Sequence, residues 1–123
     1  MKNTAIRGRY RPQHPEKYKG NIDRIIYRSL WERRFMLYCD RSDQIVQWSS
    51  EELHISYVGP DDKWHNYYPD FVVETVDGRT IVVEIKPGFQ KKWKINLAKW
   101  YYAKMFCKAN NYEFKVLTEK ELF

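Results

Sequence analysis

The amino-acid sequence predicts an α/β domain with a mixed central sheet flanked by helices. Three observations carry that expectation. Segments 67–76 and 79–86 are rich in β-branched and aromatic residues and are separated by Asp77-Gly78, a dipeptide suited to a tight hairpin turn. Segments 29–40 and 93–109 carry apolar residues at helical spacing, one before the hairpin and one after it. With 123 residues there is room for one core, so these elements belong to a single domain spanning 1–123.

The elements follow in order. Residues 1–20 combine Arg7, Arg9, Arg11, Lys17 and Lys19 with Pro12, Pro15, Gly8 and Gly20, which reads as an extended basic arm rather than a packed element. The first helix starts near Ser29, because Ser29 and Glu32 have the spacing of a capping box. Leu30, Phe35, Leu37 and Tyr38 supply its apolar stripe. Residues 45–48 predict a short strand or turn, 53–58 a strand, and Gly59-Pro60-Asp61-Asp62 a turn. The hairpin comes next, and Pro87-Gly88 stops its second strand. In the second helix Ile95, Leu97, Trp100, Tyr101, Met105 and Phe106 fall largely on the inner side. Residues 113–117 form a last strand, and Thr118 opens a short terminal helix. The resulting order is helix, three strands, helix, strand.

Charge is segregated along the chain. Residues 1–40 hold ten Lys or Arg against four acids, 41–85 hold three against nine, and 86–108 hold seven Lys and no acid. An acidic centre between two basic blocks suits a polyanion bound by the flanks and cations held at the centre. Cys39 and Cys107 lack any zinc-ligand spacing and read as two buried free thiols in a reducing compartment. No apolar run approaches the ~20 residues that a membrane-spanning helix requires. The first twenty residues contain no apolar stretch of signal-peptide length, so a cytoplasmic protein is expected.

The hairpin carries the chemistry. Side chains alternate along a strand, so Val82, Glu84 and Lys86 share one face, and Asp70 lies opposite in parity to Phe71 and Val73. Pairing the two strands brings Asp70, Glu84 and Lys86 to one side. Two carboxylates beside an ammonium suit a hard divalent cation, Mg²⁺ with Mn²⁺ as a substitute, and such an ion takes phosphate oxygens as further ligands. The ion acidifies water and offsets charge on a scissile phosphate, while Lys86 orients the attacking water.

Pro69-Asp70 and Glu84-Ile85-Lys86, thirteen residues apart, resemble the motif of PD-(D/E)XK nucleases, whose core order is αβββαβ. That resemblance implies metal binding by Asp70, Glu84 and the Ile85 carbonyl, and an additional acid, Glu32, from the first helix. It can be narrowed. The stretch from Tyr27 through Trp31, Glu32 and Phe35, then Cys39-Asp40, Trp48 to Glu52, Tyr68 to Phe71, Glu84 to Pro87, Asn96 to Trp100 and Leu117 to Glu119 together resemble the head-completion nucleases of tailed bacteriophages. More distantly the chain resembles the N-terminal domain of TnsA-type transposition endonucleases. Those share acid, acid and lysine at Glu32, Asp70 and Lys86 but carry Gln where this chain has Glu84.

The resemblance implies an endonuclease acting on double-stranded DNA late in capsid maturation, in the cytoplasm of an infected bacterium or associated with the virion. Portal or head–tail connector proteins are the implied partners, and a homodimer would let a chain this small cut both strands. Arg7, Arg9, Arg11, Arg28, Arg33 and Arg34, with Gln90, Lys91, Lys92 and Lys94, are the expected phosphate contacts. Glu51 and Glu52 read as a solvated turn. Two further readings stay open: a non-catalytic DNA-binding component on a nuclease fold, and a connector protein that recognises protein.

Overall fold

The computed structural model describes residues 6–122. Its centre is a four-stranded sheet built from β3 (Ile45–Ser50), β6 (Phe71–Thr75), β7 (Thr80–Ile85) and β8 (Glu113–Leu117), in the order β3-β6-β7-β8. The first three strands run antiparallel and β8 pairs parallel to β7, so the sheet is mixed. Helix α1 (Leu30–Arg41) precedes it and α2 (Lys94–Ala109) connects β7 to β8. The core therefore has the αβββαβ order of the PD-(D/E)XK fold. A chain-terminal turn of helix, α3 (Glu119–Leu122), follows β8.

Two small sheets are added to this core. β1 (Gly8–Arg9) pairs with β2 (Ile26–Tyr27) in front of α1. β4 (Ile55–Val58) and β5 (Trp64–Tyr67) form a hairpin between β3 and β6. The segment expected at 53–58 is thus a strand outside the central sheet, and 45–50 supplies the first central strand. The expected strand at 67–76 is divided: Tyr67 ends β5, and β6 starts at Phe71. The break falls at Pro69, which has no N–H to give to a ladder.

Sheet alternation sorts the core. Phe71 and Val73 from β6, and Ile81, Val83 and Ile85 from β7, point to α1, where they meet Phe35, Met36 and Cys39. The other face carries Val82 and Glu84. On the α2 side, Trp100 and Ala103 pack with Ile55, Tyr57 and Tyr67 of the β4–β5 hairpin. Each fully buried apolar side chain contributes about 1.5–3 kcal/mol. Cys39 and Cys107 are free and buried, and burial pushes the Cys107 thiol up to about 11. Among the described residues no helix is long and apolar enough to cross a membrane.

Both helices are rotated from their expected phases. In α1 the buried positions are Trp31, Glu32, Phe35, Met36, Cys39 and Asp40, whereas Leu30 and Tyr38 are exposed. In α2 they are Asn96, Trp100, Ala103 and Cys107, and Ile95, Leu97, Tyr101 and Met105 face outward. Small inner residues let α2 approach the β4–β5 hairpin closely, which a larger side chain at Ala103 would prevent.

The segment expected as a basic arm is packed where it is described; its residues 1–5 lie outside the described residues. Tyr10 and Tyr18 are buried and make edge-on ring contacts with Trp48. Asp40, fully buried near the C-terminal end of α1, gathers the segment. Its carboxylate accepts from the Tyr10 hydroxyl at 2.6 Å and from the Gln13 and His14 N–H groups at 2.8 and 2.9 Å. Lys17 Nζ donates to the Asp40 and Ser42 carbonyls. Burial alone would raise the Asp40 pKa, but these hydrogen bonds outweigh it and hold the carboxyl below its ordinary value.

Candidate active site

The register of the β6–β7 hairpin pairs Phe71 with Val83, so one step outward Asp70 faces Glu84. The two residues lock together through the main chain. The Ile85 N–H donates to Asp70 Oδ2 at 2.8 Å, and the Asp70 N–H donates to Glu84 Oε1 at 3.3 Å. Lys86 Nζ lies 3.7 Å from Glu84 Oε2. Glu84 is 3% exposed, while Asp70 and Lys86 are half-buried. The three residues singled out from the sequence therefore converge at one end of the hairpin, on the face turned towards α2.

This grouping has a chemical character. Buried carboxylates are costly unless paired, and Lys86 supplies the nearest positive charge to Glu84. Beneath them lies Tyr67, whose hydroxyl burial raises above its ordinary value, reinforced by the negative charge of Glu84 and Asp70. That hydroxyl and Trp100 Nε1 are buried with no hydrogen-bond partner of ordinary geometry among the described residues. From α2, Lys99 extends over the Tyr67 ring, its Nζ 5.6 Å from the ring centroid. Burial and the charge of Lys86 lower the Lys99 pKa, against the opposing pull of Glu84 and Asp70.

Glu32 occupies the N-terminus of α1. Ser29 caps the helix by accepting from the Glu32 N–H at 3.2 Å. The Glu32 carboxylate reaches back to the Arg28 N–H at 3.0 Å and the Ser29 hydroxyl at 3.4 Å. Among the described residues no three His, Cys, Asp or Glu side chains come together as a ligand cluster, so Glu32 is not gathered with Asp70 and Glu84. The donors that the hairpin end brings together are the carboxylates of Asp70 and Glu84. This set fits Mg²⁺, which binds through one or two carboxylates and fills its octahedron with water and phosphate oxygens.

The expected phosphate contacts separate into groups. Arg9, Arg11 and Arg33 line one concave surface of about 310 Å³ together with Arg41, which the sequence alone did not single out. Arg9 also pairs with Asp23 at 3.1 Å, and Arg33 lies over the Tyr27 ring. Arg28 is engaged by Glu51, with Nε to Oε1 at 2.9 Å. Arg7 and Arg34 are exposed, as are Lys91, Lys92 and Lys94 in the loop and first turn leading into α2. Gln90 is half-buried, and its carbonyl accepts from the buried Asn96 side chain, which braces this loop.

The expected solvated turn at Glu51 and Glu52 is a joint instead. Glu51 adopts φ 55° and its N–H donates to the Asp70 carbonyl, while Glu52 accepts from Tyr18 and the Asn21 N–H. Lys99 and Tyr67 were the residues that sequence reasoning missed. Once Ala103 and Cys107 define the inner face of α2, Lys99 falls on its inner edge by helical spacing.

The strand–turn–strand gathers Asp70, Glu84 and Lys86 between α1 and α2, the arrangement expected from the sequence. Residues 42–119 match the family described as TnsA-like endonuclease N terminal. The chain belongs to that family. The match covers β3 through β8 and so includes every element that builds the hairpin site. As a TnsA-like nuclease it is also similar over nearly its full length to the head completion nuclease of Enterobacteria phage T4. The identity there is 27% over 141 residues, with 96% of this chain and 94% of that protein covered.

Proposed function

We propose that the protein is a Mg²⁺-dependent endodeoxyribonuclease that cuts double-stranded DNA and serves head completion after packaging in a tailed phage. The observation that carries this reading is the Asp70–Glu84–Lys86 grouping, closed by the 2.8 Å bond from Ile85 to Asp70 and the 3.7 Å approach of Lys86 to Glu84. Family membership supports the nuclease activity, and similarity to the T4 head completion nuclease supports the phage role.

Asp70 and Glu84, with the Ile85 carbonyl, would hold the cation, which would supply Lewis acidity and a water of lowered pKa. Mn²⁺ substitutes for it. Lys86 orients the attacking water from beside Glu84 and offsets phosphate charge. Glu32, bonded to the Arg28 N–H in this structure, would have to give up that bond to serve as a further ligand. Arg9, Arg11, Arg33 and Arg41, and Lys91, Lys92 and Lys94, hold the duplex through its phosphates, so binding weakens steeply with salt. The products are a 5′-phosphate and a 3′-hydroxyl. The enzyme works in the infected bacterium, beside the portal or connector it completes, and a homodimer accounts for cutting both strands.

The test is cleavage of supercoiled plasmid in Mg²⁺ and in Mn²⁺ by the native protein and by K86A. Nicked or linear product from the native protein, with a loss of about 100-fold or more in K86A, is expected for a residue that manages a proton in the transition state. Native protein that binds duplex DNA but cuts it in neither metal would overturn the enzyme reading in favour of a DNA-binding assembly component.

A further inference from the structure

Lys86 is not the only lysine at the carboxylates. Lys99 approaches them from α2, a different element: half-buried over the Tyr67 ring, it feels the charges of Lys86, Glu84 and Asp70. Its ammonium rests over the face of Tyr67, itself 3% exposed. A cation on an aromatic face keeps its N–H donors unspent, because the ring attracts charge without accepting three hydrogen bonds. Among the described residues Lys99 has no hydrogen bond and no carboxylate within ion-pair distance, whereas Lys86 is paired with Glu84. Taking an ammonium partly out of water beside another ammonium is unfavourable unless an anion arrives.

Two explanations are available for such a residue. In the first it offsets, at a distance, the charge of Asp70 and Glu84. In the second it waits for an anion that enters the site. The first is already served by Lys86, and it would be served better by an ammonium in contact with a carboxylate. The platform also matters. Tyr67 ends β5, Asp70 precedes β6, and Trp100 next to Lys99 packs on Tyr67 in the same small core. The ring therefore fixes the Lys99 side chain relative to the hairpin end, which a surface lysine lacks.

We propose that Lys99 is a phosphate-binding residue of this site, its ammonium taking a non-bridging oxygen of the DNA phosphate seated at Asp70 and Glu84 while Tyr67 holds it in place. The inference rests on the nuclease reading and deepens it: the site presents two cations, Lys86 from the strand and Lys99 from the helix. No bond is made or broken by Lys99. It fixes the phosphate and offsets its charge.

The experiment uses K99M, which keeps the aliphatic stem over Tyr67, and K99R, which keeps the charge, beside the native protein. Binding of a fluorescein-labelled DNA duplex is measured in EDTA across a salt series, and single-turnover cleavage is measured in Mg²⁺. Loss of one phosphate contact should reduce the slope of log K against log salt by about 0.9 in K99M. It should also slow cleavage at saturating DNA by roughly 10-fold or more, as expected when a positioned charge on the phosphate is removed. K99R should retain the native slope.

A K99M protein with native slope and native rate overturns the assignment. So does a slower K99M with an unchanged slope, since that is the signature of a distant counter-charge. If the native protein cuts no DNA, the nuclease reading falls, and the EDTA salt series still decides whether Lys99 meets phosphate.

Discussion

Asp40 and Glu84 are both buried carboxylates, 0% and 3% exposed, yet they are treated in opposite ways by the residues around them. Asp40 is wrapped by three short hydrogen bonds, 2.6 to 2.9 Å, from a hydroxyl and two main-chain N–H groups. All three donors come from the N-terminal segment, so the carboxylate ties residues 10–14 to the end of α1. Glu84 meets an N–H at 3.3 Å and an ammonium at 3.7 Å, on a hairpin end it shares with a second acid. Short neutral donors make a charge into a fastener, since each charge-assisted bond of that kind is worth about 1.5–3 kcal/mol net. Longer contacts beside an ammonium suit the cation-binding role proposed for Glu84.

The comparison breaks most visibly if the two acids are neutralised in turn. In D70N the Asn side-chain oxygen can still accept the Ile85 N–H, so the fold should hold and its urea midpoint should stay close to native. Cleavage should fall by roughly 10³-fold or more, because the proposed cation would lose a carboxylate ligand and with it several kcal/mol of charge stabilisation. D40N should do the reverse. It loses the ionised acceptor of Tyr10, Gln13 and His14 and should cost about 2–3 kcal/mol. Below its melting temperature its cleavage rate should remain near native. A D70N protein that cuts DNA, or a D40N protein as stable as native, would show that the assignment of roles is wrong.

Acid sharpens the same contrast. The folded Asp40 carboxyl titrates below its unfolded value, so it binds a proton more readily in the unfolded chain. Its contribution to stability is therefore complete above roughly pH 4, the unfolded value, and is lost as pH falls through the folded one. Urea midpoints measured at pH 7, 4 and 3 should show native and D40N far apart at pH 7 and converging at pH 3. A gap that stays constant over that range would mean that the hydrogen bonds at Asp40 do not depend on its charge.

How much of this was legible in the sequence depends on whether the cause is local. The β6–β7 hairpin is local: Asp77-Gly78 makes the turn, Gly78 takes φ 85°, and a period of two then dictates that Asp70, Glu84 and Lys86 share a side. The start of α1 is local too, since Ser29 caps it as its spacing with Glu32 predicts. The phase of α2 is not. Counting apolar bulk favours Leu97, Tyr101 and Met105, whereas the packed face uses Asn96, Ala103 and Cys107, because what the hairpin beneath requires is closeness. The placement of residues 6–28 is still less local. Their anchors, Asp40, Trp48 and Glu52, lie some thirty residues away in contacts that no periodicity encodes. Lys99 belongs to the same class, visible only once α2 is set down beside β5.

Glu32 is the residue whose side of the comparison is the finest to draw, because it is buried like Glu84 but bonded at a helix end. S29A removes the hydroxyl that caps the Glu32 N–H and should cost about 1 kcal/mol of stability, with cleavage near native. E32Q is the informative partner. Its amide oxygen can still accept the Arg28 N–H, so the helix terminus is preserved, but it no longer offers a charge to a cation. If Glu32 reaches the metal in the working enzyme, E32Q should melt within about 0.5 kcal/mol of native and cleave roughly 10-fold more slowly, the effect shrinking at high Mn²⁺ as mass action restores the ion. A stable E32Q that cleaves at the native rate would place Glu32 with Asp40, as a carboxylate whose work is to hold the chain together.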